Sequence, residues 1–393
     1  MRILVLAPQP FFTLRGTPIA VRMLLDTLAG GGHEIDVITF AEGESLEMDG
    51  VRFHRVPDIS LLRGIRPGFS LKKSICDLMM AAMVVRRLAT ERYDVIHAVE
   101  EMAYVAHWLR PFFGVPYVFD IDSSIPQQLD EKYMLRRPLL AGLEWIERRA
   151  LRRAVAALAC CPALEEVARK AAPDLPVTTL TDVSLLDGAI VAQEEVDASQ
   201  ARFDDPVVMY VGNLEHYQGL DLLMEGFALA LPKRRMQLVI IGGSNEDIER
   251  YRTKAEALGI GDFAHFLGPR PICELAAYLD QADVVVSPRL VGVNTPMKIY
   301  SYLDSGKPLL ATALSTHTQV IGDDIAHLVE PEPGAMAEGL LHLTGDPAAA
   351  AALAARAKER VRNEFSHAAF RTRLLDFYRN TVAPRLRQQR DSR

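Results

Sequence analysis

Short apolar runs that do not alternate with polar residues recur along this chain, and they constrain its fold more than any other feature. RILVLA, EIDVITF, YDVIHA, PYVFDI and VAALACC lie in the first half. PVVMYV, MQLVIIGG, FAHFLG, ADVVVSP, PLLATA and AHLVE lie in the second. A strand with one wet face alternates, whereas a strand covered on both faces reads as a continuous apolar run. Segments of helical period separate the runs, as in GTPIAVRMLLDTLAGGG after the first. Strand, helix and parallel strand in repetition specify a doubly wound α/β sheet. The pattern lapses in DGAIVAQEEVDASQARFDDP (Asp187–Pro206) and then restarts. This divides the chain into a Rossmann-like domain over 1–190, a linker over 191–206, a second Rossmann-like domain over 207–370 and a terminal amphipathic helix over 371–393.

Composition excludes several classes. A net charge of −7 argues against nucleic acid as a partner. Cys76, Cys160, Cys161 and Cys273 have neither zinc spacing nor a disulfide framework, so the expectation is no metal, no cofactor and a reducing, cytoplasmic setting. No apolar run reaches the ~20 residues of a spanning helix. MRILVLAPQP is too short for a signal-peptide core and reads as a buried strand.

In open α/β sheets, ligands sit beyond the carboxyl ends of the strands, so the loops there carry the candidate chemistry. After the first strand, Gly16 with Thr17 and Pro18 opens a helix, but GxGxxG is missing and a dinucleotide site is not indicated. His97 ends the YDVIHA strand. Asp120 and Asp122, two residues apart in FDID, fit a base, a binder of sugar hydroxyls or a metal ligand. Ser123 or Ser124 is a candidate N-cap for the helix IPQQLDEKY. In the second half the strand-end loops offer Gly212, Asn213 and Gln218, then Gly242, then RLVGVNTPMKIYSYL, with Arg289, Asn294, Thr295, Lys298 and Ser301. Arg289 and Lys298 are the cations best placed for a phosphate at a helix N-terminus, where a cation otherwise opposes the dipole.

Two doubly wound halves, with VGNLEHYQGLDLL opening the second and PMKIYSYLDSGKPLLAT near its end, resemble the family 4 (group 1) glycosyltransferases of GT-B fold. The resemblance covers nearly the whole chain. It implies two Rossmann-like domains facing a central cleft, an N-terminal acceptor domain, a C-terminal donor domain and a terminal helix crossing back to the first domain. It also implies retaining transfer from a nucleotide-sugar donor to a sugar, lipid-linked or small-molecule acceptor, without a metal. On the acceptor side His97, Asp120 and Asp122 become the catalytic candidates. On the donor side the candidates are Gly16, Gly212, Asn213, Gln218, Gly242, Arg289, Asn294, Thr295, Lys298 and Ser301. The sequence departs from the family pattern where a Glu-x7-Glu pair and two loop cations are usual. Those positions are Val293 and Ser301, and Asn213 and Gln218. Neutral amides hold a diphosphate less strongly than cations do, so a non-catalytic nucleotide-sugar-binding or partner subunit is the alternative expectation.

Basic pairs cluster in the first half at Lys72-Lys73, Arg86-Arg87, Arg136-Arg137, Arg148-Arg149 and Arg152-Arg153, beside apolar helical segments. On a chain that is acidic as a whole, this pattern suggests peripheral contact with an anionic membrane surface at its inner face, compatible with cell-envelope polysaccharide or glycolipid synthesis.

Overall fold

In a computed structural model the chain is described throughout except at 13–15, 45, 66–69, 135, 187, 189–191 and 392–393, and for the side chains of 131–133. It forms two compact units. One comprises Met1–Thr181 with Phe370–Arg393, the other Asp182–Ala369.

The first unit runs β1 (Arg2–Ala7), α1 (Gly16–Gly30), β2 (Glu34–Thr39), β3 (Val51–Arg55), α2 (Leu71–Thr90), β4 (Val95–Val99), α3 (Met102–Phe113), β5 (Tyr117–Ile121), α4 (Ile125–Tyr133), α5 (Arg137–Arg153), β6 (Ala156–Ala159), α6 (Pro162–Ala171) and β7 (Val177–Thr179). Its parallel sheet has the order β3-β2-β1-β4-β5-β6-β7. The edge strand β7, three residues of VTT, is too short to give a periodic signal and was not among the expected strands.

The second unit runs β8 (Val207–Val211), α7 (Leu220–Ala230), β9 (Gln237–Ile241), α8 (Asn245–Ala257), β10 (Ala264–Gly268), α9 (Leu275–Asp280), β11 (Val284–Ser287), α10 (Lys298–Asp304), β12 (Leu309–Thr312), α11 (Ser315–Thr318), β13 (His327–Val329), α12 (Pro333–Gly345) and α13 (Pro347–Glu364). Its order is β10-β9-β8-β11-β12-β13, again parallel. Alternate residues explain the unbroken apolar runs. Val208, Tyr210, Leu238, Ile240, Val284 and Val286 enter one buried cluster, while Val207, Met209, Val239, Ile241 and Val285 enter another. Both faces of this sheet are therefore core.

Each sheet reverses direction once, between β1 and β4 and between β8 and β11. The carboxyl ends at such a switch point are where open α/β sheets bind ligands. Residues 182–206 fall within the second unit. Of the stretch expected as a linker, the described part packs there: Glu194 N–H donates to the Cys273 carbonyl (2.7 Å), and Cys273 adjoins α9. The terminal segment continues as α14 (His367–Asp376), a π-helical stretch (Phe377–Val382) and α15 (Ala383–Asp391). Pro384 lacks an N–H and crowds the carbonyl four residues back, so it accounts for the local change of helical register.

Candidate functional site

In the first unit, β4 and β5 lie side by side, with Val99 opposite Asp120. His97 is fully buried, and its Nε2 lies 3.0 Å from Asp120 Oδ2. A carboxylate only accepts, so Nε2 carries the proton and Nδ1 accepts the Tyr378 hydroxyl at 2.7 Å. Both ring nitrogens of His97 are thus committed inside the fold. Asp120, whose side chain is 16% exposed, is the member of the pair that an outside group reaches. Asp122 is half-buried just beyond β5, and its carbonyl accepts from the Cys160 thiol. Ser124 stands at the N-cap of α4, as one of the two expected serines, but its side chain makes no cap hydrogen bond. Ser123 Oγ donates to Glu100, and Ser124 Oγ donates to the buried Glu147 at 3.0 Å. Burial pushes the Glu147 carboxyl up to about 7, with the Ser124 and Tyr104 hydroxyls opposing the rise. Gly16 starts α1 exposed, and a Cβ there would meet nothing within 4 Å.

Beside this strand end, Lys73 from α2 bridges to Glu101 (2.5 Å), with Glu100 further off (3.8 Å). Glu100 adopts a left-handed φ of 49°, strained for a residue with a Cβ. Asp77 is pushed up to about 8 by burial and then by Glu101, so it is largely protonated at neutral pH. Glu101 rises to about 6 through burial and Glu100. Sequence reading missed this group, because its members come from two elements and share no motif.

In the second unit the candidate residues converge on the carboxyl ends of β8 and β11. Gly212 follows β8 with φ 152°, and a Cβ there would come within 2.9 Å of Lys298 Nζ. Gly242 follows β9 with φ 116°, and a Cβ would overlap the Gly212 carbonyl at 2.0 Å. The glycines therefore let two strand ends and one ammonium pack together. Lys298 Nζ is buried, lies 3.9 Å from the centre of the Tyr210 ring, and has no hydrogen-bond partner among the described residues. Burial, then Arg289, drives the lysine well below its usual range. Two further candidates carry buried, unpartnered polar atoms among the described residues, Gln218 Oε1 and Thr295 Oγ1. Arg289 is held by the Val291 carbonyl (2.8 Å) and Asn294 Oδ1 (3.1 Å), with its guanidinium over the Tyr217 ring. Asn213 is exposed at the loop tip and caps Glu215 N–H. Ser301 faces inward: it is 2% exposed and its Oγ accepts from Leu185 N–H at 3.1 Å.

Two family models match the chain. The described family "Glycosyl transferase 4-like domain" matches residues 15–180, and "Glycosyl transferases group 1" matches 205–346. The chain belongs to the group 1, family 4 glycosyltransferases. A D-inositol 3-phosphate glycosyltransferase from Corynebacterium aurimucosum is 29% identical over 185 residues, which is 45% of this chain and 44% of that protein. An alpha-D-kanosaminyltransferase from Streptomyces kanamyceticus is 24% identical over 84% of this chain and 90% of its own. Among solved structures, sucrose-phosphate synthase from Thermosynechococcus elongatus superposes with TM-score 0.77 at 22% identity, covering 98% of this chain and 99% of its own. Anabaena HepE with UDP-glucose gives 0.73 at 16% identity, covering 97% and 100%. These likenesses establish the GT-B class of fold, with two parallel-sheet Rossmann-like domains.

Several supports of the loops after β8 and β11 escaped sequence reading. The Tyr302 hydroxyl accepts from Val211 N–H (2.7 Å) and donates to the Val211 carbonyl (3.1 Å), fixing the end of β8. His317, fully buried, donates from Nδ1 to the Thr312 carbonyl (2.8 Å) and accepts at Nε2 from Ser287 (2.9 Å). Thr312 Oγ1 donates to the Arg289 carbonyl at 2.6 Å. Burial holds His317 down at about 4, so it is neutral near Arg289. Only the polar cluster STHT hinted at it. Among the described residues no group of three His, Cys, Asp or Glu is placed to hold a metal ion, and no helix is long and apolar enough to cross a membrane.

Proposed function

We propose that this chain moves a sugar from a nucleoside-diphosphate donor to an acceptor, with the donor diphosphate held in the second unit. One observation carries the reading. Lys298 Nζ, Gln218 Oε1 and Thr295 Oγ1 are buried polar atoms without partners among the described residues, in the segments that follow β8 and β11. Orphaned buried polar groups cost about 1–3 kcal/mol each, and two cations with no acid in the 288–300 stretch favour an anion. The ammonium and the Thr295 hydroxyl donate to phosphate oxygens, while the Gln218 amide oxygen takes a ribose or sugar hydroxyl. Gly212 and Gly242 leave room for close approach, and Asn213 and Asn294 complete the loop. Ser301 acts from behind, through Leu185.

In the first unit Asp120 is the acceptor-side carboxylate, positioned by His97, with Asp122 two residues further on. Transfer is retaining, the leaving phosphate assisting attack from the same face. The relatives' names, a D-inositol 3-phosphate glycosyltransferase and an alpha-D-kanosaminyltransferase, and the UDP-glucose in the HepE structure support a nucleotide-sugar donor. The acceptor is a sugar, a lipid-linked or a small-molecule compound, and the basic pairs of the first unit support work at an anionic membrane surface in the cytoplasm, without a metal. A transfer and donor-hydrolysis assay over a panel of nucleotide sugars and acceptors tests the reading. Turnover with one donor supports it. Saturable nucleotide-sugar binding with no turnover for any pair replaces it with a binding subunit, the role to which the neutral positions 213, 218, 293 and 301 point.

A further inference from the structure

The carboxyl-terminal ends of α3 and α5 enclose an open concavity of about 740 Å³, lined by Arg110, Phe112, Arg152, Arg153 and Gln389 among others. Among the described residues no carboxylate side chain lines it. Arg110 donates to the Arg153 carbonyl and to Gln389 Oε1 (3.4 Å), and Arg152 donates to the Ala171 carbonyl (3.2 Å). Arg153, Arg149 and Arg110 lie close enough to hold His107 of α3 below its usual range, after burial itself. These charges therefore form one patch. Basic side chains in a last turn suit the helix dipole, which explains why arginines sit here but not what surrounds them.

What surrounds them is exposed and apolar. Trp108 (57% exposed) and Phe112 (82%) are one turn apart on α3. On α5, Leu139 (56%), Gly142, Trp145 (55%), Arg149 and Arg152 follow three- and four-residue spacing, so one outward stripe passes from apolar to basic along the helix. The Arg149 guanidinium lies over the Trp145 ring at 5.5 Å. Indole and phenyl rings beside guanidinium groups match a lipid interface, where the rings sit at headgroup level and the cations meet phosphate. The patch is basic on a chain that is acidic as a whole, at −7.

We infer that this patch is a docking surface for anionic phospholipid, with the concavity receiving a headgroup phosphate and Trp108, Phe112, Trp145 and Leu139 entering the interface. The inference rests on the membrane part of the proposed function and names the residues responsible. Each arginine near an anionic surface contributes about 1 kcal/mol, so reversing two of them weakens binding at least about tenfold.

Vesicle flotation of the full chain tests it, using phosphatidylglycerol-containing and pure phosphatidylcholine vesicles at low and high salt. The expected result is enrichment on the anionic vesicles, with an at least tenfold loss for Arg152→Glu/Arg153→Glu. Trp108→Ser/Phe112→Ser loses the share of binding that survives high salt. Lys233→Glu/Arg362→Glu in the second unit, an equal change of charge at exposed positions, binds as wild type does. Thermal unfolding of each variant reports that it is folded. No preference of the wild type for anionic over neutral vesicles overturns the membrane reading altogether. A wild type that binds while Arg152→Glu/Arg153→Glu binds equally well overturns this surface alone. Displacement from vesicles by an oligonucleotide at matched phosphate concentration reassigns the patch to nucleic acid.

Discussion

Lys298 shows how a single residue reports a missing partner. Its ammonium end is out of water and stacked on Tyr210, and its nearest cation is Arg289. Such a group binds a proton weakly until an anion arrives, after which the charged form is favoured. On the proposed function, binding of a nucleoside diphosphate such as UDP at neutral pH is therefore expected to take up protons. Calorimetric titrations in two buffers of different ionisation enthalpy measure this directly, and Lys298→Met is expected to abolish the uptake and weaken binding by about ten- to a hundredfold. Equal heats in both buffers would refute it. Ser301 is the contrasting case. Its hydroxyl satisfies a buried backbone N–H of Leu185, so Ser301→Ala is expected to cost about 1–3 kcal/mol in urea unfolding. UDP affinity should change by less than about twofold, since the side chain faces the core.

At the scale of elements, Asp36 ties four pieces of the first unit together. From β2 it accepts bonds from Arg52 (2.8 Å) and His54 (2.8 Å) of β3, Arg87 (3.2 Å) of α2, Arg2 (3.3 Å) of β1 and Tyr93 (3.0 Å). Burial alone would raise its carboxyl, but His54, Tyr93 and Arg52 outweigh burial and bring it down to about 2. The unfolded chain then binds a proton near 3.8 that the folded chain refuses until about 2. The stabilisation is therefore complete above 3.8 and is lost as pH falls from there through about 2. At about 1.4 kcal/mol per unit it amounts to about 2 kcal/mol. Asp36→Asn should lose at least that much at neutral pH and flatten the acid limb of a pH–stability curve. An unchanged acid limb would place the acid sensitivity elsewhere.

At the scale of the whole molecule, the chain leaves its first unit at Thr181 and rejoins it at Phe370. Phe370, Leu374, Phe377, Tyr378, Val382 and Leu386 of the returning segment are all buried, and Tyr378 reaches His97. At about 1.5–3 kcal/mol per buried apolar side chain, removing 370–393 forfeits about 10 kcal/mol, comparable with the whole stability of a domain. Truncation after Ala369 should leave the first unit open to limited proteolysis while the second stays protected. Equal protection of both units would show that the returning segment is dispensable.

The strands and the doubly wound architecture were legible because burial on both faces forces an unbroken apolar run, as Val207–Val211 shows by sending alternate residues to two cores. The loop residues 212, 242, 289 and 298 were legible because glycines and cations at strand ends are local signals. Tyr302, His317, the Glu147–Ser124 pair and the Lys73–Asp77–Glu101 group were not, since each depends on residues far apart in sequence meeting in space. Residue type and spacing determine which segments become strands and which loops stand at their ends. Only tertiary packing decides which polar atoms are buried with partners and which are left without, because desolvation is a property of the neighbours that surround an atom and not of the residue that carries it.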